Sequence, residues 1–224
     1  MQEIDGLRII TSDKNEFLQA VPRSLRDVFE IAALDSSSTL YESSIAFYDV
    51  IKNFFLIFLS NLFGIFFKFK SRSQKAEEYI RTIKEKEGEL KRAIENCINA
   101  APHEFDTKYQ KELLRSALFG RYFDEYSNAT PYVKMCQTIR VLNAIRSPQI
   151  GLPLTYIQYE ALTPSIIINR LISRQHFALA IKICNYLNLN EEDGLIKVLS
   201  NWALYKVRQR GIEDDQIAIM IKSK

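Results

Sequence analysis

Reactive side chains are few in this 224-residue chain, and no spacing among them builds an active site. A histidine acts as a base or metal ligand when an acid or a second ligand is held beside it. His103 stands beside Glu104 and near Asp106, and His176 follows Arg174 and Gln175. Each reads more simply as a surface histidine at a helix start. Cys97, Cys136 and Cys184 lie far apart inside apolar stretches. Buried cysteine of that kind is a small inert hydrophobe, whereas a nucleophile wants exposure and a positive partner. Glu191, Glu192 and Asp193 form an acidic cluster, which suits a helix N-terminus, where negative charge is favourable by about 0.3–1 kcal/mol. Lys84 to Arg92 mixes both signs and reads as a solvated helix face. Trp202, between Leu199 and Tyr205, reads as interhelical packing before it reads as an interface anchor. No Cys-x-x-Cys, His-Glu-x-x-His, Gly-x-Ser-x-Gly or phosphate-cradling glycine loop is present. The expectation is no enzyme, no catalytic residue, no metal and no cofactor.

The elements that would position a function are helices. Hydrophobic residues make up 47% and charged residues 25%, as in an ordinary folded chain. Only 7 Gly and 6 Pro punctuate it, too few turns for a many-stranded sheet. A net charge of +3, with both signs interspersed, leaves no nucleic-acid footprint. Three widely spaced cysteines fit a reducing compartment, and Met1 to Thr11, carrying Glu3, Asp5 and Arg8, shows no secretory signal.

Leu7 to Ile10 forms a short apolar run, read as a last strand or a linker from something upstream. Asp13 with Glu16 three residues on predicts a cap for a short helix carrying Phe17, Leu18 and Val21. Pro22 suits the start of a helix with Leu25, Val28, Phe29 and Ala32 on its apolar face. Asp35 to Ser38 is a polar break able to cap the next element, and Gly88 breaks the helical stretch Ser73 to Ala101. Phe105 to Phe123 forms a helix with Tyr109, Leu113, Leu114, Ala117 and Leu118 inward. Pro131 opens another, with Val133, Ile139, Leu142 and Ile145 in its apolar set. Thr155 to Leu162, Thr163-Pro164 onward, His176 to Leu187 and Glu191 to Arg208 continue at three- and four-residue steps. No pair of strands has a convincing hairpin turn. The fold class is therefore all-α, read as an irregular α-solenoid of stacked antiparallel helix pairs in which each pair buries its face against its neighbours, with a compact helical bundle as the alternative that periodicity leaves open. Residues 1–12 read as a linker from an upstream domain, and 13–224 as the solenoid segment.

Several runs occur together in a fixed order: Asp5-Gly6-Leu7-Arg8-Ile9-Ile10-Thr11, Lys111 to Ala117, Arg140 to Ala144, Ile150 to Tyr156 with Gln158-Tyr159, Leu179 to Leu187, and Trp202 to Val207. Together they resemble the vacuolar protein sorting-associated protein 16 family, over nearly the whole chain except about 20 residues near Val50 to Arg72. The resemblance implies an N-terminal β-propeller followed by an α-solenoid, of which this chain is similar to the early part. It implies a non-catalytic scaffold segment of the HOPS and CORVET tethering complexes, acting in endosome-to-lysosome or vacuole fusion. Implied partners are the other core tethering subunits, including a Sec1/Munc18-type protein whose contact lies in later helices. The implied place is cytoplasmic, peripheral on late endosome, lysosome or vacuole membranes.

The most conspicuous feature fits none of this. Phe54 to Phe67 carries no charged residue and is crowded with Phe, Leu and Ile, and Lys68, Lys70, Arg72 and Lys75 come after it. Membrane contact would fall to Phe54, Phe55, Phe58, Phe63, Phe66 and Phe67, and a small helical protein anchored by 54–67 is the alternative reading of the whole chain. The run falls short of the roughly 20 apolar residues that a spanning helix needs, although a shallow interfacial helix flanked by basic residues is compatible with it. Against the resemblance, an atypical insert covers about 50–72. Its Phe, Ile, Leu, Asn and Lys bias is what A/T-rich codons yield, so a retained intron or gene-model error and a lineage-specific helix extension stand beside membrane contact. Sequencing the mature transcript across Tyr48 to Lys75 separates these readings. The intron reading predicts that the stretch is missing from it, and continuous coding message overturns that reading.

Overall fold

The computed structural model describes residues 1–29, 35–58, 74, 76–124, 128–192, 194–209 and 214–222. It is mostly helical, and it divides into two compact units, Met1–Arg140 and Val141–Lys224.

The first unit opens on a small antiparallel meander of β1 (Gln2–Glu3), β2 (Gly6–Ile10) and β3 (Asn15–Gln19). Leu7 faces Leu18 and Arg8 faces Phe17 across the β2–β3 pair. This corrects two expectations. Asn15 to Gln19 is a strand and not part of a short helix, and strands do meet through tight turns. Asp13 belongs to the β2–β3 turn, where Thr11 N–H donates to the Lys14 carbonyl at 2.9 Å and the Thr11 hydroxyl accepts from Lys14 N–H at 3.0 Å. Five residues are too few to separate period 2 from period 3.6, and pairing with β2 decides the matter. The Arg8 guanidinium lies 5.2 Å from the Phe17 ring centre and pairs with Glu3, so that face of the meander is held by charge.

Beyond the meander the unit is helical. Pro22 precedes α1 (Arg23–Phe29), and α2 (Ser36–Phe58) begins where Asp35 accepts from Ser37 N–H at 2.8 Å, the capping geometry that its position suggested. Residues 76–84 form α3, which buries Ala76, Ile80 and Ile83 on one face. Gly88, at φ +77°, separates it from α4 (Glu89–Ala100) in a backbone region costly for residues with a Cβ. A 3₁₀ turn (Ala101–His103) leads to α5 (Thr107–Arg121), capped by Asp106, whose carboxylate accepts from Lys108 N–H at 2.7 Å.

The core of this unit lies where α2 meets α4 and α5, with α1 against α2 and α4. Leu40, Ala93, Cys97, Leu113 and Ala117 are fully buried there. Gly120 is required by closeness, because a Cβ added to it would stand 2.7 Å from Ile94 and 3.0 Å from Leu40. Leu113 and Ala117 of the expected inward face of α5 are buried, whereas Tyr109 and Leu118 are exposed.

The unit boundary falls inside α6 (Thr130–Arg146). Ile139 belongs to the first core, while Val141, Leu142 and Ile145 belong to the second. Val133, expected on the apolar face, is exposed. In the second unit α7 (Tyr156–Ser173) starts with a reciprocal cap. Gln158 N–H donates to the Thr155 hydroxyl at 3.1 Å, and Thr155 N–H donates to the Gln158 side chain at 3.3 Å. The helix breaks at Thr163 (φ 60°, ψ 151°) just before Pro164, where Thr163-Pro164 was expected to start a new helix. Ile167, Ile168 and Leu171 are buried beyond the break. α8 (Phe177–Tyr186) packs on α7, α9 (Leu195–Val207) packs on both, and α10 (Asp214–Lys222) lies against α9. Trp202 and Tyr205 are half-buried against this core, as interhelical packing predicts.

Of the residues named for membrane contact, Phe54, Phe55 and Phe58 fall in the last part of α2, with their side chains outside the described set. Phe63, Phe66 and Phe67 lie outside the described residues altogether. Among the described residues no helix is long and apolar enough to cross a membrane.

A side chain at position 120 is expected to force α2 and α5 apart. Gly120→Val should therefore lower unfolding stability by about 1–3 kcal/mol, read by urea denaturation. An unchanged midpoint would show that the helices are not this close.

Candidate functional site

The side chains that could do chemistry are spread over both units. His103 ends the 3₁₀ turn and His176 stands at the N-cap of α8, in separate units. Cys97 is wholly enclosed in the first core; burial, with a smaller push from the charge of Asp35, raises its thiol to about 12. Cys184 is buried in the second core, and burial pushes its thiol up as well. Cys136 is half-buried on α6. Glu191 and Glu192 are exposed ahead of α9, where the Glu191 carbonyl accepts from Ile196 N–H at 3.0 Å; Asp193 lies outside the described residues. Among the described residues, no group of three or more His, Cys, Asp or Glu side chains could hold a metal ion.

What does converge is a polar clamp where α2 begins. Arg92 of α4 donates to Asp35 and to Glu89, each at 2.8 Å. Ser36 donates to the same Glu89 oxygen at 2.7 Å. Asn96, one turn further along α4, donates to the Ser37 hydroxyl at 3.0 Å and to Asp27 of α1 at 3.2 Å. Three helices are therefore tied at one corner by charge-assisted hydrogen bonds. Burial pushes the Asp35 carboxyl up, but hydrogen bonds from Ser37 and Arg92 outweigh it and hold the group below its ordinary value. Glu89 is also lowered, first by its bonds from Arg92 and then by Ser36. The guanidinium of Arg92 is raised by the same two acids. Sequence reasoning placed Arg92 on a solvated face and missed the clamp. Its partner Asp35 lies 57 residues away, and no local spacing signals such a pairing.

Buried hydroxyls continue inward. Ser44 of α2 meets Ser116 of α5, Ser43 donates to the Ala76 carbonyl at 3.1 Å, and Tyr41 donates to Glu112 at 2.8 Å. These satisfied contacts fix helix register.

One stretch of the first unit's surface is apolar and open. A groove of about 570 Å³ runs along α1 and the start of α5, lined by Val21, Leu25, Phe29 and Tyr109, with Arg26 and Glu104 at its polar side. Burial and the charge of Asp106 raise the Glu104 carboxyl. Leu25 and Phe29 were expected to face the core; Leu25 is half-buried, and Phe29 keeps 38% of its surface exposed. In the second unit Ile196, Leu204 and Val207 of α9 are exposed.

A family described as "Vps16, N-terminal region" matches residues 1–56 and 59–134, more than half of the chain. This chain belongs to the Vps16 family. Protein VACUOLELESS1 of Arabidopsis thaliana is 37% identical over 92% of the chain, which spans 20% of that relative's length. The vacuolar protein sorting-associated protein 16 homologs of Drosophila melanogaster and Dictyostelium discoideum are 32% and 36% identical, each over 99% of the chain and 23% of the relative. The chain thus spans about a quarter or less of the Vps16 relatives it matches. The two matched blocks leave out residues 57 and 58, inside the phenylalanine-rich run.

Two outcomes test this geometry. Both acids of the clamp are held below their ordinary values, so the unfolded chain takes up protons before the folded one as pH falls. The clamp's contribution is full above the ordinary carboxylate range and is lost progressively as pH falls through the lowered values of the folded state. Arg92→Met is expected to cost about 1 kcal/mol near neutrality, because Arg92 is 41% exposed and the attraction is screened. It should also flatten the acid limb of a stability–pH profile; a parallel limb would show that Arg92 does not hold the acids. Alkylation at pH 8 followed by peptide mass mapping should label Cys136 first and spare Cys97 and Cys184 until denaturant is added. Early labelling of Cys97 would contradict the enclosed core.

Proposed function

We propose that this chain is a non-catalytic scaffold segment of a HOPS/CORVET-type membrane-tethering complex acting in vesicle fusion at the endosome, lysosome or vacuole. The observation that carries the reading is the Vps16 family membership of the chain. Helix-on-helix stacking with apolar side chains left at the surface supports it, because such a scaffold offers extended faces for protein contacts. The irregular solenoid, the cytoplasmic and peripheral location and the assembly with other core tethering subunits belong to the same proposal. A Sec1/Munc18-type partner is proposed for the full-length protein only, with its contact outside this chain.

Peripheral association and anchoring by residues 54–67 make different predictions. Expressed in its full-length setting and fractionated from cells, the protein should co-purify with the other core tethering subunits and wash off membranes at high pH. Retention in the washed membrane pellet would favour the anchored alternative. Absence of those subunits from the purified full-length protein would overturn the scaffold reading.

A further inference from the structure

We draw no further inference here: the strongest candidate, the open apolar groove along α1 and the start of α5 lined by Val21, Leu25, Phe29 and Tyr109, carries none because nothing in the structure shows what covers it.

Discussion

The first unit depends on how closely α2 can approach α4 and α5. Leu40 is the large residue at that crossing, and room for it is made by what faces it. Gly120 offers no Cβ where one would collide with Leu40 and Ile94, and Ala93, Ala117 and Ser116 are small and fully buried nearby. Close approach lets dispersion act over many atom pairs, but it also brings polar groups into a dry interior. Ser43 and Ser44 answer that cost locally, each with a hydroxyl bonded to a partner across or along the helices. The crossing therefore works as a size constraint first and a hydrogen-bond constraint second. Burying a hydroxyl without a partner costs on the order of 1–3 kcal/mol.

The clamp at Arg92 is a consequence of the same crossing. Once α2 lies against α4, its N-terminal amides and Asp35 are brought beside the first turn of α4. Glu89 and Arg92 sit three residues apart on one side of that turn, as helical spacing demands. Arg92 can then serve both acids with one planar head, a task to which its fork of donors is suited and a lysine is not. The clamp contributes less to net stability than the apolar core, because Arg92 remains partly in water. It does fix which turn of α2 starts opposite which turn of α4.

Much of this was legible in the sequence where the signal is local. Gly88 as a break, Asp35 as a cap, Thr163-Pro164 as a joint and Ile167, Ile168 and Leu171 as a core face are each written in a few adjacent residues. The β-meander was not legible as such. Its strands are two to five residues long, and β3 was read at helical spacing because Asp13 and Glu16 mimic a capping box. The surface positions of Tyr109, Leu118 and Val133 were also out of reach. Periodicity gives a helix an apolar stripe, but only the neighbours decide how wide a part of it is covered. The long-range clamp and the Ser44–Ser116 contact, 72 residues apart, exist only once the helices are stacked.

The phenylalanine-rich run tests how far helix physics can explain a sequence. The core contacts described for α2 are made from Ser37 to Tyr48, about three turns, and they keep to the three- and four-residue steps of Leu40, Ser44 and Phe47. The backbone continues as a helix to Phe58, yet from Phe54 onward the sequence no longer alternates between an apolar and a polar face. A helix apolar all round is stable only when something surrounds it. The crossing with α4 and α5 needs an amphipathic stripe and gains nothing from an all-round one. The stripe of Leu40, Ser44 and Phe47 therefore has no counterpart in the sequence of Phe54 to Phe67, and the close approach of α2 to α4 and α5 is accounted for by Ser37 to Tyr48.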